Sequence, residues 1–165
     1  MFRFATARRT LIAALMLVTV TPLFAGPPWI TIELPGNPYD ASARDAFLIV
    51  HAFHHGTPVE YPVAGTAEGV VHGRRTTIPL TFERTSRTGA FAVKKQWTDG
   101  SPWVLAFTVT QARDDVASAI VGIGADGRVS HVETLTRREG DGRVYPRAVA
   151  RADVEAALLA ASGTK

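Results

Sequence analysis

Alternation of apolar and polar residues with a period of two, interrupted by glycine and proline, constrains the fold of this chain most strongly. Ile78, Leu80 and Phe82, for example, alternate with polar residues. Because successive side chains of a strand point to opposite faces, each such stretch predicts a strand with one buried face. Nine strands are predicted, at 29–34, 46–55, 59–63, 65–72, 76–83, 90–97, 103–110, 117–123 and 128–136.

Turn-forming residues separate these strands at intervals of about 8 to 12 residues, which is typical of a sandwich. We therefore predict an all-β fold, an immunoglobulin-like antiparallel β-sandwich of about nine strands over residues 26–136. The charged, glycine-containing segment 137–143 predicts a loop. Val154, Ala157, Leu158 and Ala161 lie at helical spacing and predict a short C-terminal helix near 153–161, with Asp153 as its cap. Residues 137–165 are expected to belong to the same domain.

The first 25 residues have the order of a secretory signal peptide. Arginines precede an uncharged apolar run at 11–20, and Ala25 provides a small residue before Gly26. We expect cleavage after Ala25 and export to the periplasm or beyond, by the general route or, given Arg8-Arg9, by the twin-arginine route. An uncleaved anchor is the alternative, but the run is about half of the 20 residues that a membrane helix needs. We expect no transmembrane segment in the mature chain.

Removal of the leader changes the composition. It takes three of the 18 basic residues, so the mature chain has 15 basic and 15 acidic residues. This balance argues against nucleic acid as a partner, because such binding needs a basic excess or stripe. Both methionines also leave, and the chain has no cysteine. Disulfides, thiolate catalysis and soft sulfur ligands for Cu(I) are therefore excluded from the mature protein.

Histidines are the main candidates for chemistry. On one strand, His54 and His55 would point to opposite faces, and His51 and His55 would be roughly 13 Å apart. A site for Cu(II) or Zn would thus need one of them together with His72 or His131 from a neighbouring strand. Solvated or hydrogen-bonded histidines at strand ends are the simpler interpretation. It predicts weak metal binding without defined stoichiometry, and no cofactor.

Other motifs carry less chemistry. Gly122–Gly127 matches the dinucleotide pattern G-x-G-x-x-G, but a predicted strand follows it where that site needs a helix. No G-x-S-x-G elbow occurs, although a dispersed catalytic triad stays open. Trp97 and Trp103 flank the turn 98–102. They are interpreted as core residues or, with Trp29 or Tyr39, as an aromatic platform for a sugar or a protein.

The stretch 46–110 contains a Gly-x-x-Trp turn, Gly100-Ser101-Pro102-Trp103, that leads into an alternating strand over 104–109. In this it resembles the immunoglobulin-like modules of exported bacterial proteins, including the YtkA-like group. The resemblance covers less than half of the chain. It implies a sandwich used in binding or assembly and, for some members, in copper handling. The mature chain lacks methionine, and no binding residue is carried over.

Three functions follow as hypotheses. The first is an exported, non-enzymatic binding or accessory protein of the cell envelope, which contacts an envelope protein or surface component through an edge strand or an aromatic end. The second is a periplasmic metal-binding protein that uses histidines. The third is a small hydrolase. An exposed apolar patch would favour the first, converging histidines the second, and a contact between serine and histidine the third.

Overall fold

The computed structural model describes residues 26–34 and 39–163. The predicted signal peptide lies outside these residues. Within them, eleven strands precede one α-helix. The strands are β1 (Trp29–Glu33), β2 (Leu48–His54), β3 (Thr57–Pro58), β4 (Val63–Val71), β5 (Arg74–Pro79), β6 (Glu83–Arg84), β7 (Ala90–Val93), β8 (Trp103–Thr110), β9 (Val116–Ile123), β10 (Val129–Arg138) and β11 (Val144–Pro146), and the helix is α1 (Arg151–Gly163).

The strands form two antiparallel sheets, which confirms the predicted all-β sandwich with a short C-terminal helix. The first sheet has the order β1-β2-β7-β6, with β3 paired to the end of β2. The second sheet has the order β11-β10-β9-β8-β4-β5. The main core lies between them, because alternation directs the even-numbered residues of β2 and the odd-numbered residues of β8 inward.

Proline accounts for several differences from the predicted boundaries. The predicted strand 59–63 is wrong, since the strand that pairs with the end of β2 is Thr57–Pro58 and the next strand begins at Val63. The strand predicted at 76–83 ends at Pro79, and Leu80 then turns into the core. Proline has no N–H for the sheet ladder, so it ends strands or occupies edges.

The segment predicted as a loop at 137–143 is a turn over 139–143, whereas its first two residues, Arg137 and Arg138, belong to β10. β10 continues to Arg138 and pairs with β11, so that Arg138 lies opposite Val144. The turn between them is closed by backbone bonds between Glu139 and Arg143 and between Gly142 and Glu139. Charged side chains are compatible with this edge hairpin, because its outward positions stay in water.

Helix α1 covers the outer face of the second sheet. Val154, Ala157 and Leu158 pack against Val104 and Ile120 and their neighbours. Asp153 accepts the backbone N–H of Ala150 at 2.8 Å and holds Arg147 at 2.5 and 2.8 Å. Those contacts with Arg147 lower the pKa of Asp153 to about 2. Within the described ranges, no helix has the length and hydropathy of a membrane span.

Candidate functional site

Trp97 and Trp103 lie in the core. Their exposed fractions are 5% and 1%. The Trp103 indole Nε1 donates to the Thr98 carbonyl at 2.9 Å, and the Trp97 ring meets Phe47 edge to face at a centroid distance of 5.0 Å. These positions favour core closure for both rings, because neither presents a face to solvent.

An apolar row crosses the outer face of the first sheet instead. The strand register places Trp29 of β1 opposite Phe53 of β2, and Phe53 opposite Pro58 of β3. Trp29 is 38% exposed, Phe53 is half-buried and Pro58 is exposed. We name Trp29, Phe53 and Pro58 the apolar row. Sequence reasoning named Trp29 but not Phe53 or Pro58. The available signal was that Phe53 lies two residues after His51, so both side chains point to the same face of a strand.

Polar side chains border the apolar row. His51 lies opposite Thr31, and its ring stacks on Phe53 with centroids 6.1 Å apart. Its Nε2 atom is 2.8 Å from Oε2 of Glu33. Arg87 donates to both carboxylate oxygens of Glu33, at 2.9 and 3.3 Å. Such a two-point pair fixes both planes, so Glu33 is held in one orientation.

The same arginine ties the segment before β2 to the sheet. Arg87 Nε lies 3.2 Å from Oδ2 of Asp40, and the Ser42 hydroxyl donates to Oδ1 of Asp40 at 2.5 Å. These bonds, that of Ser42 first, lower the pKa of Asp40, while its bonds to Glu33 raise the pKa of Arg87. Ala43 packs over Ile49 on this face. Tyr39, directly before Asp40, is 95% exposed.

Most of the histidines are spread over the molecule. His51 lies on the outer face of the first sheet. His72 is in the turn between β4 and β5, with a φ of 51°. His131 is on β10, where its ring covers Gly122 of β9. A metal site that joins a histidine of the 51–55 cluster with His72 or His131, the alternative left open by the sequence, has no support in these positions.

His54 and His55 are the exception. Their ring centroids are 4.3 Å apart. The expectation that they point to opposite faces is wrong, because β2 ends at His54 and His55 has a φ of 49° in the following turn. Left-handed backbone there rotates the His55 side chain back toward its neighbour. His54 is half-buried beside Tyr61, and His55 is exposed.

Gly26 completes the surroundings of these two rings. The Nε2 atom of His54 is 2.9 Å from the Gly26 carbonyl oxygen. A β-carbon placed on Gly26 would lie 3.4 Å from Cε1 and 3.9 Å from Nε2 of His55. In the part of the chain that the structure describes, no three side chains of histidine, aspartate or glutamate converge on a point that could hold a metal ion.

Two serine hydroxyls bear on the hypothesis of a hydrolase. Ser42 bonds to Asp40 and Ser86, and the buried Ser118 bonds to Thr108 and to the backbone N–H of Val149. Both hydroxyls serve to hold neighbouring segments together.

Comparison of the chain with family models, with curated proteins and with solved structures finds no match in any of the three.

Proposed function

We propose that this protein is exported, loses its leader, and acts without catalysis as a binding protein of the cell envelope. The apolar row carries the proposal: Trp29, Phe53 and Pro58 lie side by side over three strands, with Trp29 exposed. Tryptophan supplies large contact area with little loss of side-chain entropy, and it is enriched where interfaces gain most of their energy.

The charges beside the row favour a protein partner. Arg87 and Glu33 form a fixed pair at the edge of the apolar surface, and arginine is the charged residue most enriched at interface centres. Because the pair is already oriented, binding would lose little entropy there. On the opposite side of the sandwich, α1 already covers the middle of the second sheet. The first sheet therefore offers the more accessible aromatic surface.

Photo-crosslinking tests this proposal. A photoreactive residue at the exposed Thr31, one row from Trp29, should give a discrete protein adduct in cells of the source organism. The matched control is position 70, since Val70 has the same 38% exposure as Trp29 but lies on the second sheet. Trp29→Ala should weaken the adduct at position 31.

Two results would overturn the proposed protein partner. One is equal labelling at positions 31 and 70, which would mean unspecific proximity. The other is no adduct at position 31 while the purified protein sediments with isolated envelope glycan, which would identify a sugar ligand.

Metal binding is the second candidate function, favoured by the approach of His54 and His55. A hydrolase is not proposed, since the serine hydroxyls of Ser42 and Ser118 bond to neighbouring segments and not to a histidine.

A further inference from the structure

The end of β2 and the segment before β1 are held together by the sheet. Trp29 pairs with Phe53 in the register, and Pro28 is buried. Gly26 is therefore positioned against the residues that follow Phe53. Its carbonyl oxygen meets His54, and its Cα lies beside His55, as the 3.4 Å approach of an added β-carbon to His55 Cε1 shows. Both imidazoles thus face the residue that leader cleavage is predicted to make amino-terminal.

Cleavage after Ala25 would change the chemistry of this place. In the precursor the Gly26 nitrogen is an amide, which is a poor metal ligand. In the mature chain it is a primary amine with a pKa near 7.7 to 8.0, so its free base is accessible around neutral pH. This nitrogen is about 1.5 Å from the Cα that lies beside His55. It adds a third nitrogen donor to the two imidazoles.

The residues after Gly26 direct a metal toward the histidines. Metal ions bound at a peptide amino terminus often take the next backbone nitrogen as well, after it loses its proton. Pro27 and Pro28 have no such proton, so this route is closed. The rings of His54 and His55 remain close. His54 Nε2 donates its N–H to the Gly26 carbonyl oxygen, so coordination through this nitrogen requires that bond to break and the proton to move to Nδ1.

We propose that the mature amino terminus at Gly26 forms a metal site with His54 and His55, and that it takes Cu(II) in preference to Zn(II). The inference rests on the proposed export and cleavage. Amine and imidazole nitrogens suit both ions, and Cu(II) binds more tightly to a given nitrogen set. The prediction of weak metal binding from the sequence counted only imidazole ligands. It did not include the amine of the mature amino terminus.

Titration of the exported, purified protein with Cu(II) tests the site. Intact mass first establishes that the chain begins at Gly26. We expect one equivalent of Cu(II) to bind with sub-micromolar affinity, to release protons and to raise the melting temperature. His54→Ala and His55→Ala should each weaken binding by about tenfold or more. His72→Ala and His131→Ala are the matched controls and should leave the affinity unchanged.

The terminal amine needs its own test. Acetylation of that amine, or retention of Ala25 as an extension, should weaken binding by about tenfold or more and remove one nitrogen from the electron paramagnetic resonance pattern. Because His55 is exposed, its replacement should not disturb the core. Circular dichroism checks that each variant keeps its fold. Unchanged affinity after acetylation would overturn the proposal, as would weak binding without a one-to-one endpoint.

Failure of export is distinguishable from failure of the site. If the exported chain begins more than about two residues from Gly26, the cleavage proposal is wrong. The same titration is then performed on a chain released at Gly26 from a fusion protein by a site-specific protease. All described strands and the helix lie after this residue. Absence of one-to-one binding in that chain would overturn the site itself.

Discussion

At the scale of single residues, close packing against Trp103 leaves no room for a side chain at position 69. Gly69 of β4 lies opposite Trp103 of β8 in the register. A β-carbon on Gly69 would come within 2.6 Å of the Trp103 ring and 2.9 Å of the Pro102 carbonyl oxygen. The ring cannot retreat easily, since it is 1% exposed and its Nε1 is bonded to Thr98. The indole therefore occupies the space of a side chain at position 69.

Gly69→Ala should consequently destabilise the protein. Overpacking a filled core forces shifts of side chains and backbone, and we expect the free energy of unfolding to fall by about 1 to 3 kcal/mol. Gly140→Ala is the control, because an added β-carbon there has no neighbour within 4 Å and should change stability by less than about 0.5 kcal/mol. Urea denaturation measures both. Equal stability of the two variants would show that Trp103 can move.

At the scale of elements, sequence reasoning succeeded where periodicity was strong. The predicted strand 103–110 coincides with β8, and the spacing of Val154, Ala157 and Leu158 correctly indicated the buried side of α1. It failed where paired strands carry no apolar alternation. The hairpin of β10 with β11 is charged and has no apolar alternation, so its backbone pairing left no pattern to read.

The candidate sites show the same limit. Phe53 and His51 are two residues apart, so alternation could have placed them on one face, but only the register of three strands brings Trp29, Phe53 and Pro58 into one row. The approach of His54 and His55 depends on the positive φ of His55. Periodicity carries no information about a single residue that leaves its strand, so that approach could not be predicted.

Two consecutive leucines test how α1 is attached. Leu158 is 6% exposed against the second sheet, whereas Leu159 is 75% exposed. Leu158→Ala should lower the free energy of unfolding by about 2 to 4 kcal/mol through lost burial and a residual cavity. Leu159→Ala should change it by less than about 0.5 kcal/mol. Thermal and urea unfolding measure the difference. Similar small effects for both would mean that the helix contributes little to the fold.

At the scale of the whole molecule, the two outer faces of the sandwich differ. α1 covers the second sheet, while the first sheet is covered in part by the segment around Ala43. The apolar row and the Gly26–His54 contact both lie where the start of β1 meets the end of β2 in the first sheet. The proposed metal site therefore depends on what precedes Trp29, because its terminal amine exists only after cleavage. A precursor and a processed chain would present different chemistry at one place on the same fold.

Cleavage of the proposed leader would decide the chemistry at Gly26. We expect the exported protein to begin at Gly26 or within about two residues of it, because Ala25 is the small residue that follows the apolar run. Intact-mass measurement on culture fractions gives the start directly. Ala25→Arg should block cleavage and leave the full precursor. Replacement of both Arg8 and Arg9 by lysine should preserve export by the general route but abolish it by the twin-arginine route.

Full-length mass in the exported wild-type protein would contradict cleavage and identify residues 11–20 as part of an anchor. In that case Gly26 would keep an amide nitrogen, so the Cu(II) site would lack its third nitrogen donor, while the apolar row would still be available to a partner.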